Sequence, residues 1–149
     1  MRILALDYGD RRIGVAVSDE MGMIAQGLAT IQRKNRVADL DQIDECVRRY
    51  DVDRIVVGYP LRFDGSEGVQ CEKVNRFIRR LERRVTVPII RRDEMLSTKE
   101  AEEHLRETGV RREKQRSMVD RVAACIILQR YLDAPSDVEK AEKRSENDP

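Results

Sequence analysis

Residues 2–18 read RILALDYGDRRIGVAVS, and this stretch decides the fold. RILALD (2–7) is an apolar run closed by a single carboxylate, Asp7, and reads as a buried strand. YGDRR is a turn, and IGVAVS (13–18) is a second strand. Gly9 and Gly14 supply turn freedom and close approach. Residues 23–31 (MIAQGLATI) suit a third strand. Two short links in succession favour an antiparallel meander.

Beyond the meander the period changes. Val37, Leu40, Ile43 and Val47 recur at steps of three and four, which predicts an amphipathic helix from about Arg36 to Tyr50. RIVVG (54–58) is a short buried strand. The loop YPLRFDGSEG (59–68) carries proline and glycine and is irregular. A helix over roughly 68–83 follows, with Val74, Phe77, Ile78 and Leu81 on one face, and then a strand at 86–90 (TVPII). Ser97 to Glu100 forms a capping box that opens a helix to about Thr108, with Gly109 as its stop. VRREKQR (110–116) reads as a loop, and Ser117 to Asp120 as a second capping box. The final helix has Val119, Val122, Ala123, Ile126, Ile127 and Tyr131 on its apolar face. The expected architecture is α/β. A mixed sheet of about five strands, three antiparallel and then two parallel, has helices on both faces. Residues 1–133 form one domain, and 134–149 form a disordered charged tail.

The whole chain has 149 residues, a size that suits one domain. With 40% hydrophobic and 38% charged residues, it reads as a globular protein with a highly charged surface. No apolar run reaches the roughly 20 residues of a membrane span, and the N-terminus lacks a signal-peptide layout. A cytoplasmic location is expected. Cys46, Cys71 and Cys125 are widely spaced and His104 is the single histidine, so zinc has no support.

Three carboxylates carry the candidate chemistry. Asp7 ends the first strand, Glu94 follows VPII and two arginines, and Asp120 heads the last helix. Two strand ends and a helix can converge into one acidic pocket. Such a pocket binds hard divalent cations, Mg²⁺ or Mn²⁺, through oxygen. A pair of such ions can support in-line phosphoryl displacement. Each carboxylate also has a plainer reading. Asp7 can satisfy backbone donors at a strand-to-turn link, Glu94 can be a loop charge, and Asp120 can complete its capping box. The arginines at 79, 80, 83, 84, 91 and 92, and the basic run 111–116, read equally as a solvated face or a phosphate-binding rim. Arg11, Arg12, Arg91, Arg92, Thr98, Lys99, Lys114 and Arg116 are the candidates for gripping a nucleic-acid backbone. Tyr8, Tyr59 and Phe63 are the aromatics near the site. Aromatics are only 4% of the chain, so base stacking is not the main grip.

LALDYGDRRIGVAVSD, VGYPLRFDGSEG, RRDEMLST and VDRVAACIILQRYL resemble, in order, four blocks of the YqgF/RuvX family. The resemblance covers nearly the whole chain to about residue 133. It implies a ribonuclease H-like fold related to the RuvC resolvases. It also implies a metal-dependent nuclease acting on precursor 16S ribosomal RNA or on branched DNA, as a monomer or homodimer. The family's acidic triad falls on Asp7, Glu94 and Asp120. Its loop falls on Gly58 to Gly68, near substrate, and brings Arg62 into the candidate set. Two departures stand out. Met95 occupies a position where the family has arginine, and Arg121 one where it has a small residue. Arg121 can narrow the pocket or add a phosphate ligand. Two other readings remain at this stage: an inactive RNA-binding adaptor, and an ATP-binding phosphotransferase, for which the chain is short.

Overall fold

Strand alternation divides residues 2–18 between two cores. β1 (Arg2–Tyr8) and β2 (Arg12–Ser18) pair antiparallel, with Asp7 opposite Gly14. Leu4, Leu6, Tyr8, Ile13, Val15 and Val17 point to one face, and Ala5 and Ala16 to the other. The link between them is closed by the Gly9 N–H, which donates to the Arg12 carbonyl at 2.9 Å. A Cβ at Gly9 would lie 2.8 Å from that oxygen, so the turn has no room for a side chain there. The structure, a computed structural model, describes residues 2–62, 64–93 and 112–134, and for 112–118 the backbone alone.

The expected third strand is two pieces, β3 (Ala25–Gly27) and β4 (Ile31–Gln32), both antiparallel to β2. Ala16 faces Gly27, but Ile13 faces Ile31 where an unbroken register would give residue 30. One extra residue is inserted, which is a β-bulge. The slip turns Ile31 into the larger core, whereas Ala25 packs on the other face. The strand also starts later than residue 23. Asp19 Oδ1 captures the Met23 and Ile24 amides at 2.7 and 3.0 Å, holding them in a turn.

α1 (Arg36–Arg49) is capped by Asn35, whose side chain accepts from the Ala38 N–H at 2.9 Å. Ile43 is buried as expected, but Val37 is 67% exposed. β5 (Val52–Tyr59) runs parallel to β1. α2 (Val69–Arg84) buries Val74, Phe77, Ile78 and Leu81, the face read from sequence, together with Cys71. β6 (Ile89–Asp93) is parallel to β5 and lies three residues later than expected. Pro88 has no N–H for a ladder, so the strand begins after it and continues through the charged RRD. The sheet order is β3-β2-β1-β5-β6, with β4 also on β2.

The last described helix, α3 (Arg112–Asp133), corrects two expectations. Residues 112–116 are helical and not a loop, and Ser117 lies inside the helix, so it is no N-cap. The side chains of Lys114 and Arg116 lie outside the described set, as do the expected helix at 97–108 and the tail after Ala134. α3 covers the face of the sheet opposite α1 and α2, with Ala124, Ile127, Leu128 and Tyr131 against Ala5, Ala16 and Val56. Helices thus lie on both faces of a mixed sheet. No described helix is long and apolar enough to cross a membrane.

Candidate active site

The C-terminal ends of the parallel strands β1, β5 and β6 share one edge of the sheet, where open α/β folds bind ligands. Asp7 stands at that edge. It alternates with Ala5, so it belongs to the α3 face, and it is 7% exposed. Its cross-strand partner is Gly14.

Gly14 explains how a helix residue reaches Asp7. A Cβ built there would lie 2.0 Å from the backbone oxygen of Asp120 and 2.6 Å from its carbonyl carbon. α3 therefore touches the sheet at Gly14. Asp120 sits one turn before Ala124 on the buried stripe that continues through Ile127, Leu128 and Tyr131. The same stripe that packs the apolar core extends into the acidic edge. Asp120, 113 positions from Asp7, is brought down onto the strand pair that carries Asp7 because a mid-strand glycine lets the helix down. Sequence reading assigned Gly14 both turn freedom and close approach, and only the second applies. Gly27 makes room on β3 for the side chain of the adjoining Arg121. A Cβ there would lie 2.5 Å from Arg121 Cγ. Exposed Arg121 thus lies over β3 and does not narrow the space at Asp7.

Arg12, expected to position phosphate, is engaged with Asp120. Its Nε donates to Asp120 Oδ2 at 2.9 Å, with the two side chains 25% and 20% exposed. Burial pushes the Asp120 carboxyl above the ordinary carboxylate range, and the Arg12 hydrogen bond and charge offset only part of this. Arg12 thus orients a carboxylate that burial alone would drive toward its neutral form. Arg11 is exposed on the turn.

The turn itself is braced by Arg33, for which the sequence carries no signal. Arg33 Nη1 donates to the carbonyls of Gly9 at 2.9 Å and Asp10 at 2.8 Å, and its guanidinium lies 4.5 Å from the Tyr8 ring. Buried Asp39 sits 3.9 Å from Arg33 Nε. Lys73 of α2 reaches Asp10 at 3.2 Å.

The remaining candidates divide. Arg92 faces α3, lies 5.8 Å from the Tyr131 ring and donates to the Ala134 carbonyl. Arg91, its neighbour, faces α2 and donates from Nε to Asn75 Oδ1 at 2.9 Å. One rim cannot hold both. Exposed Arg62 lies in the loop after β5 and folds over Gly68, at the same sheet edge as Asp7. Tyr8 is stacked on Phe77 with centroids 4.3 Å apart, and the Tyr59 hydroxyl accepts from Asn75 Nδ2 at 3.0 Å. Both rings are buried on the α2 face, so neither serves as a base-stacking platform near Asp7. Glu94, Met95, Thr98, Lys99, His104 and Phe63 lie outside the described residues. Among the described residues no three His, Cys, Asp or Glu side chains form a metal-holding group.

Residues 1–134 match the profile of the family described as "RuvX: Holliday junction resolvase". A protein of Syntrophus aciditrophicus named "Putative pre-16S rRNA nuclease" is 60% identical over 136 residues, covering 91% of each chain. One of the same name from Halothermothrix orenii is 50% identical over 132 residues, covering 89% of this chain and 94% of its own. Among solved structures, Thermus thermophilus RuvC in complex with a Holliday junction substrate aligns with a TM-score of 0.53 at 16% identity. That alignment covers 89% of this chain and 93% of RuvC. The fowlpox virus resolvase aligns with a TM-score of 0.50 at 14% identity, covering 89% and 97%. These alignments identify the fold as the ribonuclease H-like fold of the RuvC resolvases. On sequence, and with its acidic strand edge and covering helix in this arrangement, the chain belongs to the RuvX family.

Proposed function

We propose that this protein is a divalent-metal-dependent nuclease that hydrolyses phosphodiester bonds in structured nucleic acid, with the 5′ end of precursor 16S ribosomal RNA as substrate. The observation that carries it is the seating of the Asp120 backbone on Gly14, the cross-strand partner of Asp7, at the C-terminal edge of the sheet. The names of relatives at 50–60% identity support the RNA substrate.

The residues fit a hard cation. Asp7 is a buried carboxylate on the α3 face, and Asp120 is a carboxylate whose burial one arginine only partly offsets. Oxygen donors of this kind suit Mg²⁺ or Mn²⁺. Asp7, Asp120 and Glu94, the residue after Asp93 in the chain, would hold it. When bound, the metal supplies charge for the attacking water and for the leaving oxygen. The protein's own groups set the geometry. Arg12 fixes the Asp120 carboxylate, and Arg33 fixes the turn beside Asp7. Arg11, Arg62 and Arg92, with Lys99, Lys114 and Arg116, are proposed to neutralise substrate phosphates around this edge, and the Thr98 hydroxyl to hydrogen-bond them.

The test is cleavage of labelled precursor 16S rRNA with Mg²⁺ or Mn²⁺ by the full chain and by Asp7→Asn and Asp120→Asn. Each variant is expected to lose at least about 100-fold in rate, since even partners of metal ligands are worth 10–100-fold. Cutting at the wild-type rate by both variants would overturn the proposal. The family description favours one second reading, resolution of branched DNA. A four-way junction run beside the RNA at matched metal separates the two.

A further inference from the structure

α2 carries five arginines, at 76, 79, 80, 83 and 84, that the active edge does not use. A cleft of about 490 Å³ lies between α2 and the edge strand β6, lined by Glu72, Asn75, Arg76, Arg79 and Arg91. Three of the five are guanidiniums and one is a carboxylate. Arg76 meets Glu72 at 3.8 Å, but both side chains are well over half exposed, so that pair is weak.

Arg91 is what distinguishes this cleft from an ordinary charged helix face. Its Nε donates to Asn75 Oδ1 at 2.9 Å, and Asn75 Nδ2 donates to the Tyr59 hydroxyl at 3.0 Å. Tyr59 is 8% exposed. A chain of side chains anchored in the core thus fixes one guanidinium, leaving its two Nη groups for another acceptor. A fixed planar fork loses little freedom on binding and matches a phosphate's geometry.

The position also suits a single substrate. Arg91 pairs with Val57, and Val57 with Leu6, the residue before Asp7. The cleft and Asp7 are therefore level along the strands, on opposite faces and two strand spacings apart, roughly 10 Å across the sheet.

We infer that this cleft is a second phosphodiester-binding site, which grips the backbone of the nucleic-acid substrate away from the scissile bond through Arg76, Arg79 and Arg91, with Asn75 and Tyr59 as positioning residues. The identity of the ligand rests on the nuclease reading. The placement of the cleft does not.

The test measures binding of a stem-containing RNA without divalent metal, at several salt concentrations, in an Asp7→Asn background that does not cut. Adding Arg76→Gln, Arg79→Gln and Arg91→Gln together is expected to weaken binding at least about 10-fold. It should also flatten the dependence of log K on log salt by two to three units, about one per phosphate contact. Asn75→Ala removes no charge. It is expected to weaken binding about 3-fold with the salt slope kept, the result expected if Asn75 acts by holding Arg91. Unchanged affinity and slope in the triple variant would overturn the site, and unchanged affinity in Asn75→Ala would overturn the positioning role. The wild-type chain is assayed in parallel for cutting. No cutting with an arginine-dependent slope sinks the nuclease reading and leaves the cleft standing. Cutting with a slope indifferent to the three arginines does the reverse.

Discussion

Asp120 shows how a functional residue is held against its own solvation. Its carboxyl is raised by burial, so the folded chain binds its proton more tightly than the unfolded chain does. The resulting cost is absent below about pH 4, the ordinary carboxylate range, and grows as pH rises through that range to the raised folded value. Metal-free Asp120→Asn is therefore expected to melt at or above the wild-type temperature at pH 7, with the gap closing below pH 4, while cutting is lost. Thermal unfolding at the two pH values checks this, and a variant less stable at pH 7 would contradict it. Arg12→Gln removes the offset. It is expected to lower the cleavage rate 10- to 100-fold at saturating substrate, as loss of a group that orients a ligand does. A change in KM alone would assign Arg12 to the phosphate backbone instead. Gly14 has no such latitude. Gly14→Ala puts a methyl 2.0 Å from the Asp120 oxygen, so α3 must lift. An overpacking loss of about 1–3 kcal/mol in denaturant unfolding and a collapse of cutting are expected together.

At the level of elements, much of the chain was legible. The helix at 36–49, the strand at 52–59 and the helix at 69–84 agree with the periodic spacing to within one or two residues. What was not legible had local causes. The bulge between β3 and β4 is a register event decided by which core receives Ile31, and composition does not record it. β6 runs through Arg91, Arg92 and Asp93 because Arg91 finds a partner on α2 and Arg92 one on α3, whereas three charges in a row read as a loop. The Ser117 to Asp120 pattern matched a capping box by spacing alone, and α3 begins five residues earlier. The difference is measurable. Asn35→Ala, which removes a cap contact seen at 2.9 Å, is expected to cost about 1 kcal/mol. Ser117→Ala, inside a helix, is expected to cost nothing and can stabilise slightly. Equal losses in denaturant unfolding would return Ser117 to a cap.

At the scale of the whole molecule, the fold does one thing for the chemistry. It sets the ends of parallel strands and a helix laid over Gly14 against one another, so that acidic groups distant in sequence share an edge. Of the three carboxylates read from sequence, Asp7 lies on β1 and the Asp120 backbone is seated on Gly14, its cross-strand partner, while Glu94 lies outside the described residues. The pairing of Arg12 with Asp120 and the bracing by Arg33 came only with the coordinates, because sequence gives no cue to contacts between distant side chains. On the proposed grip through phosphates, cutting should fall steeply with salt at subsaturating substrate. A divalent-metal chelator should abolish cutting, and Mg²⁺ or Mn²⁺ should restore it. The most direct measurement is the Mg²⁺-dependent cleavage rate of precursor 16S rRNA by the intact chain beside Asp7→Asn. The account requires cutting by the former and at least about a hundredfold less by the latter. Cutting that survives the loss of the Asp7 carboxylate would contradict it.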